Sequence, residues 1–448
     1  MLRNDTSSSC SPETPRHPRV ALVTFGCRVN QADTDAMRRS LASRFLVTEE
    51  TPDVVVINGC AVTRLAEKKA RQAARRAHAT GASVILVGCL ADAAARGWTT
   101  FAPAELLAGN AWKPHVQDVV AAILCGRRGA LPARPILSLD DERTFGIPGR
   151  VRAFLKIEDG CSRACAYCLA VKVRGPVRSK SLAAAEAEAR DLVARGVPEI
   201  VLAGINLAEY APEEGSLPDL VRRLLAIPGL ARLRLASIPA DGLTDALLHV
   251  AAGEPRFARH FHVPAQSGDD RTLRAMRRAT SVAQHLDAIS RARKILPDAT
   301  FGTDLLVGFP GEDEAAFART CDLVRTARYA NLHAFRYSER PGTEAAGFRN
   351  SLAEDVKRAR AEALHRVWEP IRRALLDERI GATEDVLVEE RCGRQYRGYT
   401  STYLPVRFRS PVDLPVGSMA RVRIVRAAYD EMEGVSDHRS SADRADAA

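Results

Sequence analysis

The plainest chemistry in this chain lies in one short stretch. Gly160 to Lys180 reads GCSRACAYCLAVKVRGPVRSK, with Cys161, Cys165 and Cys168 spaced C-x3-C-x2-C. Three thiolates on one loop suit three corners of a cubane iron–sulfur cluster and leave the fourth iron open to another ligand. A structural zinc site wants four ligands, as paired cysteines or with histidines. No fourth cysteine or histidine lies near this loop. A second triad is dispersed: Cys27, Cys60 and Cys89 each follow a strand-like run. They are either small residues at crowded strand ends or a second metal site, since strand ends converge on one edge of a parallel sheet.

Other polar groups sit where strands should end. Gly204 and Asn206 lie in AGIN; His262, Gln266 and Ser267 lie in HFHVPAQSG; Asp304 lies in GTDLLVGFPGE. In that last segment Gly308 and Gly311 allow close backbone approach to a ligand. Ordinary βα turns look much the same. Arg64–His78 (RLAEKKARQAARRAH) is one-signed, either a solvated helix face or a surface for phosphates. Between Arg391 and Arg426 stand eight arginines and one acid, Asp413, with tyrosines interleaved. Arg391, Arg394, Arg397 and Arg407 with Tyr399 and Tyr403 suit loop or single-stranded RNA, charge to backbone and ring to base. A generic basic β module has the same composition.

These groups need strands and helices to hold them. Val20–Phe25, Asp53–Gly59 and Ser83–Gly88 read as strands, alternating with helices at Asp33–Leu41 and Val62–Ala79; this is a small parallel α/β layer over 18–125. Residues 126–150 carry Pro, Gly and Arg and read as a linker. Six further strands, Val151–Ile157, Glu199–Ala203, Arg232–Ala236, His260–Val263, Thr300–Val307 and Asn331–Arg336, alternate with helices over 151–380. Such βα units favour a parallel barrel or partial barrel with its chemistry on the loops after the strands. Helices at 182–195 and 352–377 belong to this part. A small all-β domain follows at 381–430, and polar tails are expected at 1–17 and 431–448.

The 448 residues are 46% hydrophobic and 27% charged, as in an ordinary globular protein, and carry a formal charge of +10. That balance, with a pI near 9.3, suggests an anionic partner. No apolar leader and no run of about 18 apolar residues is present, so a cytoplasmic protein without membrane contact is expected. Clustered cysteines in such a setting ligate metal or react rather than form disulfides.

Together the motifs resemble the radical S-adenosylmethionine methylthiotransferase family over about residues 19–428. The resemblance is carried by TFGCRVNQADTDAM, VVINGCAVTRLAEKKARQ, VGCLAD, the triple-cysteine loop, HVPAQSGDDRTLRAMRR, GTDLLVGFPGE, YSERPGTEAA and GYTSTYLPV. It implies a small parallel α/β domain, a (βα)6 partial barrel and a small RNA-binding TRAM barrel. It implies a 4Fe-4S cluster on Cys161, Cys165 and Cys168 that binds and reductively cleaves S-adenosylmethionine. A second cluster on Cys27, Cys60 and Cys89 would carry the sulfur, and a second S-adenosylmethionine would methylate it. Gly204, Asn206, Gln266, Asp304 and Gly308 are the implied S-adenosylmethionine contacts. The implied substrate is tRNA, with an electron donor such as a flavodoxin or ferredoxin and a separate sulfur donor. GCRVNQ and RGPVRS are most similar to the branch acting at C2 of N6-threonylcarbamoyladenosine beside the anticodon. Alternatives are the isopentenyladenosine branch, the branch acting on a ribosomal-protein aspartate, and a non-enzymatic iron–sulfur RNA-binding protein. Departures occur at Gly59, at Leu169–Val173 after Cys168, at Pro239–Ala240 and at Ala279.

Overall fold

The structure is a computed structural model that describes residues 17–134, 136–143, 150–428 and 430–437. Cys10, most of the expected N-terminal tail, linker residues 135 and 144–149, and 438–448 lie outside the described residues.

Apolar runs bounded by glycine build the first unit. β1 (Arg19–Thr24), β2 (Leu46–Val47), β3 (Val54–Asn58), β4 (Ser83–Val87), β5 (Leu106–Ala108) and β6 (Gly129–Ala130) form one parallel sheet in the order β2-β1-β3-β4-β5-β6. All five residues of β3 are buried, as a central strand covered on both faces requires. Helices α1 (Arg28–Ala42), α2 (Arg64–Ala79) and α3 (Cys89–Ala95) follow β1, β3 and β4. The sheet extends beyond the three expected strands: β5 is a three-residue strand, and β6 lies inside the expected linker. β6 is two exposed residues whose contribution is main-chain pairing to β5, which leaves no hydrophobic pattern to read.

The central unit contains all six expected strands. β7 (Arg152–Lys156) leads into an antiparallel pair, β8 (Glu158–Asp159) and β9 (Arg178–Ser179). Then come β10 (Glu199–Ala203), β11 (Arg232–Leu235), β12 (His260–His262), β13 (Thr300–Val307) and β14 (Asn331–Arg336). They form two parallel sheets, β11-β10-β7 and β12-β13-β14, linked by a bridge between Leu233 and Phe257. Alternation assigns the faces. Leu155, Leu202 and Leu235 pack outward under the helices, while Phe154, Val201, Ala203 and Ala236 face inward. Val29 of α1 packs on that inward face, so the first unit is docked into the second rather than tethered beside it.

β15 (Thr383–Cys392), β16 (Gln395–Thr400), β17 (Pro405–Arg409), β18 (Met419–Ala428) and β19 (Glu431–Ser436) close a barrel in the order β15-β16-β17-β19-β18. β19 falls in the segment expected as a tail. Its polar composition hides a period of two, with Met432, Gly434 and Ser436 buried. Between β17 and β18 it removes two free edges.

The small barrel caps the strand starts of the central unit. Glu199, buried, accepts from Arg152 Nε (2.9 Å) and Arg234 Nε (2.7 Å), with Arg232 Nη1 at 3.5 Å. Arg232 donates to the carbonyls of Tyr399 and Asp385 at 3.0 and 2.9 Å. Tyr399 and Tyr403 stack on each other at 4.9 Å, Arg152 lies over both, and Arg234 lies 4.7 Å from the Tyr403 ring. The expectation that these two tyrosines contact RNA is therefore corrected. Their faces are occupied by guanidinium groups at a domain interface. Arg391, Arg394 and Arg397 are exposed; Arg407 is half-buried and paired with Glu431 and Glu433.

Burial alone would raise the Glu199 pKa, but the three arginines bring it down to about 2. A depressed carboxylate contributes stability above its unfolded value, and that contribution disappears as pH falls toward the folded value. Glu199→Gln should lower stability at pH 7 by about 3 kcal/mol, because it leaves buried guanidinium groups uncompensated. The gap between wild type and variant should close between about pH 4.5 and 2 in denaturant titrations. A gap independent of pH would refute this account.

Candidate active site

Strand register brings the dispersed cysteines together. Thr24, Asn58 and Val87 are paired neighbours at one sheet edge, and Cys27, Cys60 and Cys89 follow within three residues. Gly26, at φ +112°, makes the approach possible: a Cβ there would lie 2.3 Å from the Cys60 Cβ. Cys60 and Cys89 are buried and Cys27 is exposed. Opposite them, the loop after β8 carries Cys161, Cys165 and Cys168, all half-buried.

The two triads face one another across the seam between the units. Cys89, Ala61 and Ala93 pack against Leu169 and Val173, the residues after Cys168. Asn110 spans the seam, with Nδ2 2.9 Å from the Val173 carbonyl and 3.6 Å from Cys89 Sγ. Burial, reinforced by neighbouring thiols, pushes Cys60 and Cys168 up to about 12. Main-chain N–H groups oppose that rise, Val62 donating to Cys60 Sγ and Ala170 to Cys168 Sγ, each at 3.4 Å. Arg278 Nη1 lies 3.8 Å from Cys165 Sγ.

Sulfur spacing tests what the triads fit. Among the described residues, the trios whose ligand atoms all lie within 4.8 Å of one another include neither cysteine triad. A tetrahedral zinc, with bonds of about 2.3 Å, holds its sulfurs under about 4 Å apart. The wider spacing suits a polynuclear cluster.

A buried charge cluster fastens the seam. Asp33 of α1 accepts from Lys113 Nζ at 2.6 Å and Lys156 Nζ at 2.5 Å, with Arg174 Nη2 at 3.3 Å. Arg174 also donates to Asp159 (2.8 Å) and to Asn30 Oδ1 (2.6 Å). Burial opposes the Asp33 charge, but Lys113, Lys156 and Arg174 hold its carboxyl well below the usual range. Arg174 is fully buried, and Asp159, Cys89, Asp33 and Cys27 all favour its charged form. Sequence reading singled out none of these residues individually, although Arg174 stands in the RGPVRS segment.

The expected cofactor contacts divide. Asn206 Nδ2 lies 3.9 Å from Cys161 Sγ, while Gly204 packs on Glu158, whose Oε2 a Cβ there would meet at 2.6 Å. Glu158, unflagged in the sequence, accepts from the Asn206 N–H at 2.7 Å, and burial raises its pKa to about 8. Gln266 holds a left-handed φ of +71°; its N–H donates to the Asp304 carbonyl and its own carbonyl accepts from Leu306. Asp304 sits between His262 Nε2 (3.1 Å) and His333 Nδ1 (3.0 Å). His333 was missed because it lies mid-strand among apolar residues. Gly308 holds φ +74°, and a Cβ there would lie 2.4 Å from Lys357 Cγ, so the helix Glu354–Asp377 also packs closely on this glycine.

Comparison with known proteins agrees with this arrangement. Residues 155–324 match the Radical SAM superfamily, and residues 19–109 match a family described only as uncharacterized, UPF0004. The threonylcarbamoyladenosine tRNA methylthiotransferase MtaB of Thermotoga maritima is 32% identical, covering 83% of this chain and 86% of that protein. The tRNA-2-methylthio-N(6)-dimethylallyladenosine synthase of Syntrophobacter fumaroxidans is also 32% identical, covering 94% and 96%. Among solved structures, the radical S-adenosylmethionine methyltransferase TsrM of Kitasatospora setae superposes with a TM-score of 0.54 at 14% identity, over 73% of this chain and 77% of that one. That likeness speaks to the fold alone.

Removing the shared anion should loosen the seam. Asp33→Asn leaves Lys113 and Lys156 buried with their nearest shared counter-charge gone and removes one of the two carboxylates on Arg174, at a cost of about 3–5 kcal/mol. Hydrogen exchange should then rise on both sides of the seam, in α1 and in residues 170–174. Unchanged protection in both segments would show that the cluster is not what holds the units together.

Proposed function

This chain belongs to the radical S-adenosylmethionine methylthiotransferase family, and we propose that it places a methylthio group on C2 of N6-threonylcarbamoyladenosine beside the anticodon of a tRNA. The observation that carries this reading is the pair of cysteine triads facing each other across one seam. One triad alone suits reductive chemistry; two facing triads suit a reaction that also delivers sulfur.

In this reading Cys161, Cys165 and Cys168 hold one 4Fe-4S cluster together with S-adenosylmethionine, and Cys27, Cys60 and Cys89 hold the other. Bound there, the clusters and S-adenosylmethionine supply reductive cleavage, the sulfur and the methyl group. The chain's own residues prepare the place. The N–H groups of Val62 and Ala170 support sulfur in its anionic form. The Arg278 guanidinium adds positive charge beside Cys165. Apolar packing of Cys89, Ala61 and Ala93 against Leu169 and Val173 holds the two cysteine-bearing segments together. Asn206 and Glu158 orient the loop end nearest Cys161. Glu158, neutral below about pH 8, can donate a hydrogen bond where an ionised carboxylate could not.

The exposed Arg391, Arg394 and Arg397 give the small barrel a surface for RNA phosphates. A low-potential electron donor of the flavodoxin or ferredoxin type and a separate sulfur donor complete the cycle. The reading places the enzyme with its tRNA in the cytoplasm; among the described residues, no helix is long and apolar enough to cross a membrane. GCRVNQ and RGPVRS support threonylcarbamoyladenosine over dimethylallyladenosine, as do relatives of that name from three organisms.

Anaerobic reconstitution should load about eight irons per chain, two cubanes' worth. Replacing Cys27, Cys60 and Cys89 together by alanine should halve that figure; full iron content in the triple variant would sink the second cluster. Nucleoside mass spectrometry on a strain lacking the gene tests the substrate. The methylthio form of threonylcarbamoyladenosine should vanish while that of dimethylallyladenosine persists, and the reverse pattern would move the protein to the other branch.

A further inference from the structure

A groove of about 550 Å³ opens from the seam between the triads. Its inner end is lined by Ala61, next to Cys60, and Leu169, next to Cys168. One wall is α2; the other is the segment Glu339–Pro341 of the central unit. The walls carry five cationic side chains against two acids. Arg64, Lys68, Arg71 and Arg75 fall at intervals of four, three and four residues, so they form one stripe along α2. From Arg64 to Arg75 the stripe runs about 16 Å.

The stripe is not used up by pairing inside the protein. Arg71 binds Glu67 at 2.5 Å, but Arg64, Lys68 and Arg75 have no acidic partner among the described residues. Across the groove Arg340 is only 8% exposed. Its Nη1 is held by Glu67 at 2.5 Å, while Nε and Nη2 have no hydrogen-bond partner. Such an edge, left unpaired in the interior, is costly to keep.

We propose that this groove binds the sugar–phosphate backbone of the RNA strand that carries the target base. Arg64, Lys68 and Arg75 take successive phosphates leading away from the seam, and Arg340, buried in the facing wall and held by Glu67, adds positive charge behind them. Strand polyanions suit a one-signed stripe of this length better than a folded acidic protein surface, which would need matched apolar contacts that the stripe lacks. The proposal rests on the tRNA reading above. It transfers the RNA-gripping role expected of Tyr399 and Tyr403 to the first unit, next to the thiols.

The test uses the full-length protein and a tRNA that carries N6-threonylcarbamoyladenosine without its methylthio group, with binding measured by fluorescence anisotropy across a salt series. The variant Arg64→Gln/Lys68→Gln/Arg75→Gln should bind roughly 10- to 100-fold more weakly at moderate salt. The slope of log affinity against log salt should shrink by about 2, near 0.7 for each lost single-strand phosphate contact. Arg64→Lys/Arg75→Lys should keep the slope. Iron content and the unfolding midpoint check that each variant is folded. Affinity and slope equal to wild type in the triple variant overturn the proposal while leaving the tRNA reading intact. Equal losses in the charge-conserving variant overturn its electrostatic basis. A wild-type protein that binds this tRNA with no salt dependence, or not at all, overturns the tRNA reading, and the groove proposal falls with it.

Discussion

The site depends on charge taken out of water. Asp33 comes from the first unit, while Lys156, Asp159 and Arg174 come from the second. Each alone would be expensive to bury, and together they are tolerable only in this geometry. An apolar seam of similar size could slide; a shared carboxylate between Lys113 and Lys156 fixes one arrangement. That registration sets Cys89 against Leu169 and Val173, and so sets one triad against the other.

Much of the plan was legible before any coordinates. Continuous apolar runs ending in Gly–Cys marked β3 and β4, because a parallel strand covered on both faces must be apolar throughout. The six central strands were legible instead from their alternation with helices, since β11 (RLRL) and β14 (NLHAFR) carry charged and polar side chains. β19 was not, since Glu431 and Glu433 interrupt it, its exposed residue is Val435, and its buried ones include Gly434 and Ser436. The Asp33 cluster was out of reach in principle. Its partners are 80 to 141 residues away in sequence, and no local pattern links them.

The tyrosine error is instructive in a different way. Arginine interleaved with tyrosine is the composition of an RNA-stacking surface. It is equally the composition of a cation–π interface between two protein units. Tyr399 and Tyr403 form the second. Gly308 carries a similar ambiguity: a glycine in a loop after a strand admits a ligand or a neighbouring helix, and Lys357 packs close to this one. Composition identifies the kind of contact and leaves the partner open.

The small barrel sits under the strand starts, and the cysteines sit beyond the strand ends. β13, with eight residues, spans about 25 Å between those poles. A polymer held at both ends must cover that length along the outside of the molecule. On the proposed tRNA reading the fold would act as a caliper. One jaw would be the arginine-bearing surface near β16, the other the thiol-lined seam, with the gap between them set by strand length. Such a device would select by distance along a strand, so an identical base placed a few nucleotides nearer or farther would miss the thiols.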